Sequence, residues 1–203
     1  MPDIWYTSDT HFDHKNILKF ARATRRGETV EKMGELLIEA WNSRIKPEDT
    51  VWLLGDFSFG TAIQVGQTLD RLNGKINLVP GNHDKIILHS RELTERFEAV
   101  HPMITNQRIG RDTVVLCHFP IYEWESAHYG WYHLHGHSHG HVIRFPEWRM
   151  FDVGIDNRPD NLMLPWNHDE IITTLRQRSP RQHENVRNEK DGYVRKEPQV
   201  QGV

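Results

Sequence analysis

The chain has very little cysteine and no long apolar run. Among its 203 residues Cys117 is the only cysteine, so no disulfide can form within the chain, as is typical of proteins from reducing compartments. No apolar run approaches the roughly 18 residues that a membrane-spanning helix needs. Residues 1–3 carry neither the basic nor the apolar region of a signal peptide. We therefore predict a cytoplasmic protein with no membrane partner.

The composition is that of an ordinary folded domain. Hydrophobic residues make up 37% of the chain and charged residues 26%, and a chain of this length buries roughly 70% of its unfolded surface. We predict a single domain over residues 1–178. Residues 179–203 have mixed charges and almost no apolar periodicity, which predicts a disordered C-terminal tail. The net charge of −3 neither requires nor excludes a nucleic-acid partner.

The spacing of apolar residues predicts an α/β fold. Strands are predicted over 3–8, 50–54 and 75–79, and helices with an apolar stripe over 30–46 and 61–72 lie between them. This alternation favours a parallel sheet with right-handed crossovers. Further along the chain the pattern predicts a helical stretch over 85–97, a hairpin of strands 98–109 and 113–117, strands over 131–134 and 149–153, and a final helix over 167–177.

Histidine is unusually frequent, with 14 residues in the chain and a dense run between His128 and His141. Five polar clusters follow predicted strands: Asp9-Thr10-His11, Gly55-Asp56, Gly81-Asn82-His83-Asp84, Cys117-His118 and Gly136-His137-Ser138-His139. The carboxyl ends of parallel strands form a common crevice, so these clusters can converge there. Their carboxylate, amide and imidazole groups suit Mn²⁺, Fe²⁺, Ni²⁺ or Zn²⁺. Seven such side chains fit two ions with a shared bridge, an arrangement that is used for in-line displacement at phosphorus.

The order D-x-H, GD, GNHD, H and GHxH over residues 3–157 resembles the calcineurin-like metallophosphoesterases. The resemblance implies a four-layer α/β/β/α sandwich and a site for two divalent metal ions, with Mn²⁺ as the first choice. One ion would be held by Asp9, His11, Asp56 and His139, and the other by Asp56, Asn82, His118 and His137. Asp56 would bridge the ions together with a hydroxide that attacks phosphorus. His83 would stabilise or protonate the leaving oxygen, and Asp84 would support its orientation.

One departure from the family indicates the class of substrate. Phosphoprotein phosphatases of this superfamily carry GDxxDRG, whose arginine grips the phosphate, whereas this chain reads GDFSFG over residues 55–60. We therefore predict a phosphodiesterase that acts on a nucleotide or a nucleic-acid-like diester. A phosphomonoesterase or a nucleotide pyrophosphohydrolase is the alternative, since Arg22, Arg25 or Arg26 could replace the missing arginine. The non-enzymatic alternatives are a metal-binding scaffold of the same fold and a histidine-rich metal carrier.

Several other residues have two interpretations. His14, just after the first metal motif, could contact substrate or structure its loop. Trp131 belongs to an aromatic run over residues 122–132 that could stack a nucleobase, although packing on the core is the favoured interpretation. His133, His135 and His141 are predicted at the rim or the surface, and Cys117 is predicted to be a buried structural thiol. The native metal and the oligomeric state stay open.

Overall fold

The computed structural model describes residues 2–141 and 145–181, which form two β-sheets with helices around them. The first sheet has the strand order β4-β3-β2-β1-β9. Its strands are β1 (Ile4–Thr7), β2 (Thr50–Leu53), β3 (Lys75–Leu78), β4 (Ala99–Val100) and β9 (Trp166–Asn167). The first four strands run parallel and β9 is antiparallel to β1. The carboxyl ends of the four parallel strands therefore lie at one edge.

The second sheet has the strand order β5-β6-β7-β8. Its strands are β5 (Ile104–Ile109), β6 (Asp112–Cys117), β7 (Tyr132–His135) and β8 (Met150–Asp152). β5 and β6 form an antiparallel hairpin, whereas β6, β7 and β8 run parallel. A bridge between Ser8 and Gly154 links the end of β1 to the segment after β8. The two sheets are thus joined close to the carboxyl ends of these two strands.

The helices are short, apart from one of four turns. They are α1 (Ile17–Phe20), α2 (Val30–Arg44), α3 (Ala62–Leu69), α4 (Lys85–Leu88), α5 (Arg91–Thr94) and α6 (His168–Arg176), with 3₁₀ turns at Ala127–Tyr129 and Ile155–Asn157. Two of the helices begin with a capping box, α3 at Thr61 and α6 at Asn167. No helix among residues 2–141 and 145–181 is long and apolar enough to cross a membrane.

Alternation along the strands separates the core into layers. In β2, Val51 and Leu53 pack with α2 and α3, whereas Trp52 faces the second sheet. In β6, Val114 and Leu116 belong to the same apolar core as Trp52. The core is divided in this way because successive side chains of a strand point to opposite faces. The opposite face of β6 packs under the segment around the 3₁₀ turn Ala127–Tyr129. These layers confirm the fold class that the sequence predicts.

Two differences from the predicted elements have clear causes. The predicted strand 98–109 is two strands, because β4 pairs with β3 in the first sheet whereas β5 pairs with β6 in the second. β9 was not predicted, since a two-residue strand has no periodicity to detect. The predicted tail over 179–203 lies almost entirely outside the described residues, of which 179–181 are the last.

The histidines that were expected at the rim include two that are fully buried. His133 and His135 lie in β7 with no exposed surface, whereas His141 is exposed. The Nδ1 atom of His133 lies 3.0 Å from the Val115 carbonyl oxygen, and its Nε2 atom accepts from the Ile121 N–H at 3.0 Å. One ring nitrogen therefore donates and the other accepts, which only a neutral imidazole can do. Burial, with the charge of His135, lowers the pKa of His133 to about 3.

This histidine should make stability depend on pH. An unfolded histidine takes up a proton near pH 6.5, whereas folded His133 stays neutral down to about pH 3. Lowering the pH through this window therefore favours the unfolded chain, by about 2 kcal/mol between pH 7 and pH 5. In urea unfolding, His133→Gln should lose stability more gently than the wild type as the pH falls from 7 to 5. Equal pH dependence in the two proteins would contradict this account.

Candidate active site

The polar clusters converge at the carboxyl ends of the parallel strands of both sheets. Asp9, Asp56 and Asn82 follow β1, β2 and β3 of the first sheet. His118 follows β6 and His137 follows β7 of the second. Because the sheets face each other and are joined near Ser8, residues up to about 130 positions apart in sequence meet here. The backbone N–H of His137, for example, donates to Asp9 Oδ2 at 2.9 Å.

The side chains form two groups that meet at Asp56. Asp9, His11 and His139 form one group and Asp56, His118 and His137 the other, and within each group the candidate ligand atoms lie within 4.8 Å of one another. Asp56 Oδ2 lies 3.7 Å from His11 Nε2 and 3.5 Å from His118 Nε2. The Oδ1 atom of Asn82 lies 3.1 Å from His118 Nε2. The Asp56 carboxylate therefore stands between the two groups.

The backbone at these positions is in a conformation that most residues avoid. Five of the seven predicted ligands have positive φ angles, namely Asp9 (57°), His11 (49°), Asp56 (54°), His137 (67°) and His139 (49°). Non-glycine residues adopt this left-handed region in only a few per cent of cases. Such strain concentrates at functional sites, where the surrounding structure holds it in place.

Two glycines allow the loops to approach closely. A Cβ atom at Gly136 would collide with Ser8 Oγ and Asp9 Oδ2. A Cβ atom at Gly81 would collide with Asp56 Oδ1. Both positions therefore need glycine so that the neighbouring loop can lie against the carboxylates.

Hydrogen bonds orient two of the histidines toward the carboxylates. His118 Nδ1 lies 2.7 Å from the Leu54 carbonyl oxygen, to which it donates. Its Nε2 atom is therefore the one that faces Asp56. His139 Nδ1 lies 2.7 Å from Asp156 Oδ2, which leaves its Nε2 atom toward Asp9. Ligating histidines usually have such a partner on the other ring nitrogen, which fixes the ring and raises its basicity.

Asp156 was not singled out in the sequence. Its fully buried carboxylate accepts from Arg25 Nε at 2.8 Å and Nη2 at 2.6 Å, and the same guanidinium also donates to the backbone carbonyls of Asp9 and Thr10. Burial alone would raise the pKa of Asp156, but His139 and Arg25 hold it well below its usual range. Like the other clusters Asp156 closely follows a predicted strand, and that position could have revealed it.

Replacing Asp156 with asparagine should weaken the His139 side of the site. The affinity for one metal ion is expected to fall about 10- to 100-fold, as is usual for the partners of ligating side chains. The metal-free chain should also lose about 3–5 kcal/mol of stability, because Arg25 would keep a buried charge without its partner. Calorimetric Mn²⁺ titration and urea unfolding measure the two effects. Glu35→Gln, which breaks an exposed pair with Arg71, is the control and should change neither; unchanged Mn²⁺ affinity in Asp156→Asn would contradict the assignment.

Mutual charge interactions set the protonation of the site. Burial alone would raise the pKa of Asp56, but the hydrogen bond and charge of His118 lower it to about 2. Burial alone would lower the pKa of His118, whereas Asp56 and Asp9 raise it to about 8. Burial and the neighbouring His11 and His83 lower the pKa of His14 to about 4. In the metal-free chain at pH 7, His118 therefore holds a proton beside the ionised Asp56 carboxylate.

The residues present fit bound cations. Asp9 Oδ1 and both ring nitrogens of His11 are buried without a hydrogen-bond partner. Buried polar groups are nearly always satisfied, so an unsatisfied group calls for an explanation such as an ion. A buried carboxylate oxygen that faces an imidazole nitrogen at 3.7 Å supplies two ligand atoms of suitable chemistry. The described residues therefore contain two clusters that could bind metal ions.

His83 and Asp84 have different surroundings. The His83 side chain is 44% exposed and its Nε2 atom lies 3.9 Å from Asp56 Oδ2. The buried Asp84 carboxylate accepts from the backbone N–H groups of Asp56, Phe57 and Gly81 at 2.7–2.9 Å. The structure thus differs from the expectation that Asp84 orients the His83 ring. Asp84 instead fixes the loops that carry Asp56 and Asn82.

The remaining predicted residues divide between the site and other regions. His14 lines the cavity beside His11 and His83. Trp131 precedes β7, whereas His137 follows it, so the structure does not bring Trp131 to the site. Trp131 instead packs with the partly buried layer around Trp124, which agrees with the packing interpretation of the aromatic run. Cys117 is buried, as expected.

Comparison with known proteins identifies the family. The family model of the calcineurin-like phosphoesterases matches residues 2–197. The chain belongs to this family. The match confirms the resemblance carried by the five motifs and places the protein among the phosphoesterases.

Two relatives and one solved structure agree with this membership. The protein MJ1445 of Methanocaldococcus jannaschii is 33% identical over 149 residues, which are 72% of this chain and 75% of that protein. The Gene 66 protein of Mycobacterium phage L5 is 30% identical over 185 residues, and the match covers 77% of this chain and 87% of that protein. The crystal structure of AQ665 from Aquifex aeolicus superposes with a TM-score of 0.67 at 22% identity, covering 85% of this chain and 99% of that one. This last likeness concerns the fold alone.

Proposed function

We propose that this phosphoesterase is a phosphodiesterase that depends on two divalent metal ions and hydrolyses a nucleotide or a nucleic-acid-like diester. Asp9, His11, Asp56 and His139 would hold one ion, and Asp56, Asn82, His118 and His137 the other, with Mn²⁺ as the first choice. When bound, such ions acidify a coordinated water and neutralise charge on the phosphate. The protein would act in the cytoplasm on a small phosphoester or nucleotide, with nucleic acid as a further possible substrate and no membrane partner.

The chain's own groups would orient the substrate and supply a proton. Hydrolysis adds the oxygen of water to phosphorus and breaks the bond to the leaving oxygen, which must gain a proton. His83 is half-exposed at the edge of Asp56, and an imidazole can donate that proton near neutral pH. Asp56 faces His83 as well as His11 and His118. The proposed proton donor and the proposed metal ligands therefore lie beside the same carboxylate.

The observation that favours a diester is the position of the arginines. A dianionic monoester needs more compensating charge than a monoanionic diester. Arg25, one of the three candidates to replace the missing arginine, is buried and held by Asp156. Arg22 and Arg26 are exposed and do not line the cavity beside the histidines. Among the described residues, therefore, none of the three candidates offers the guanidinium that a monoester would need.

Two chromogenic substrates test the proposal. With Mn²⁺ supplied, the chain should release p-nitrophenolate from bis(p-nitrophenyl) phosphate much faster than from p-nitrophenyl phosphate, and EDTA should abolish both reactions. A monoester preference would overturn the diester assignment in favour of a phosphomonoesterase. A preference for dinucleoside polyphosphates would favour a nucleotide pyrophosphohydrolase. Two bound ions without any hydrolysis would favour a metal-binding scaffold. Metal binding that survives the loss of Asp9 and Asp56 would favour a histidine-rich metal carrier.

A further inference from the structure

A cavity of about 500 Å³ opens directly beside the candidate site. His11, His83 and His139 form its wall on the side of the carboxylates, and Phe20 and Phe59 belong to its apolar side. This volume lies within the range of about 300–1,000 Å³ that is usual for ligand pockets. The cavity can therefore accommodate a substantial part of a substrate whose phosphate lies at the histidines.

Away from the histidines the described lining is uncharged and mostly apolar, and Thr24 is its one polar residue. The described lining residues include Ile17, Ala21, Ala23 and the two phenylalanines, and none of them is a lysine, arginine, aspartate or glutamate. A second phosphate or a carboxylate in the substrate would find no fixed counter-charge among these residues. The cavity suits a neutral group with a large apolar surface.

Three aromatic rings are arranged in sequence from the site outward. The Phe59 ring centroid lies 4.5 Å from that of His83, and Phe59 stacks on His14 at 3.9 Å with an interplanar angle of 10°. Beyond it, Phe20 lies 6.5 Å from His14 at an angle of 49°. Because His14 covers one face of Phe59 and His83 approaches it from another side, Phe59 borders the cavity with its exposed edge. The more exposed Phe20 ring has a face on which a planar ring can stack.

Two of these rings are apolar and yet exposed to solvent beside the candidate site. Phe20 is 78% exposed and Phe59 40% exposed. An exposed apolar pair that borders a polar site is a common sign of a ligand-binding surface. Because Phe59 contacts His83, the group that enters this cavity is the one attached to the oxygen that His83 would protonate.

From this geometry we infer that Phe20 and Phe59, which flank His14, form an aromatic clamp for the leaving group of the diester. This leaving group is a nucleoside whose base stacks on the exposed face of Phe20 and meets the edge of Phe59. The inference rests on the proposed function for the direction of the leaving group. The clamp makes Phe20 and Phe59 specificity-determining residues. Stacking tolerates different bases, since every base has a π-face.

Direct binding of adenosine to the full-length chain tests the clamp without hydrolysis. Adenosine has no phosphate and so measures the aromatic subsite alone, with ribose as the matched ligand without a base. Adenosine should bind, with ribose at least tenfold weaker, in titrations followed by NMR. Phe20→Ala should weaken adenosine binding about 5- to 150-fold, as expected for loss of a stacking ring. Phe59→Ala, which removes an edge contact, should weaken it about 2- to 10-fold. Phe20→Tyr, which keeps the aromatic ring, should bind adenosine like the wild type.

The control is Tyr129→Ala, because Tyr129 is 79% exposed, like Phe20, but does not line the cavity. Equal binding of adenosine and ribose, or undiminished adenosine binding in both alanine variants, would overturn the clamp whatever the activity. Clamp-dependent adenosine binding in a chain that hydrolyses no diester would instead overturn the proposed function while keeping the subsite. The two failures are therefore distinguishable.

Discussion

Replacing His83 with alanine should lower kcat for diester hydrolysis by about 10²–10⁴-fold, which is the usual contribution of a general acid. Metal binding should remain, because the contact between residue 83 and Asp56 at 2.9 Å is made by the backbone N–H, which alanine keeps. The loss should be larger for an alkoxide leaving group than for p-nitrophenolate, since a better leaving group needs less protonation. Steady-state kinetics with both kinds of diester and metal analysis by mass spectrometry measure these effects.

The control for this variant is His89→Ala, which removes an exposed histidine that does not line the cavity. It should leave kcat within twofold of the wild type. Equal losses for alkoxide and p-nitrophenolate leaving groups in His83→Ala would assign His83 to charge stabilisation rather than proton donation. An unchanged kcat would remove His83 from the reaction altogether.

Replacing Asp56 with asparagine should reduce bound metal below two ions per chain and abolish measurable hydrolysis. Asp56 Oδ2 faces both His11 and His118 at 3.5–3.7 Å, and asparagine keeps the shape but loses the negative charge. Loss of a residue that only orients a metal ligand lowers metal affinity by roughly 10- to 100-fold. The affinity for the more weakly bound ion should fall by more than this in Asp56→Asn. Mass-spectrometric metal content after dialysis against Mn²⁺ tests this directly.

Asp49→Asn provides the matched control for Asp56. Asp49 is also a buried aspartate, but it accepts hydrogen bonds from Asp3, Trp5 and Lys46 outside the site. This control should lose stability while it keeps both ions and its activity. Two ions per chain in Asp56→Asn would show that Asp56 does not bridge the clusters.

The fold was predictable wherever local pattern and sheet pairing agree. The TVWLL run becomes β2, and the capping-box residues Thr61 and Asn167 begin helices as predicted. The hairpin of β5 and β6 also follows from its turn. The division of residues 98–109 between two sheets was not predictable, because the choice of partner strand depends on long-range contacts that a local pattern does not contain.

The candidate site was predictable in its residue types but less so in their roles. The five motifs identify the seven candidate ligands and His83, which converge at the strand ends, but they do not include Asp156. His133 and His135 were predicted at the rim or the surface, and only the pairing of β7 between β6 and β8 shows that they are buried. The roles of Asp84 and Asp156 depend on hydrogen bonds across 27 and 17 residues, and the Phe20–Phe59 cavity depends on the packing of separate loops. No local spacing encodes such contacts.

The central claim is that two ions, held around Asp56, are both needed for phosphoester hydrolysis. Its most direct test is a Mn²⁺ titration of the metal-free chain, with binding followed by calorimetry and hydrolysis of bis(p-nitrophenyl) phosphate followed in parallel. The account predicts two bound ions per chain and activity that rises as the second equivalent binds. Full activity after one equivalent, or saturation at one ion per chain, would contradict it.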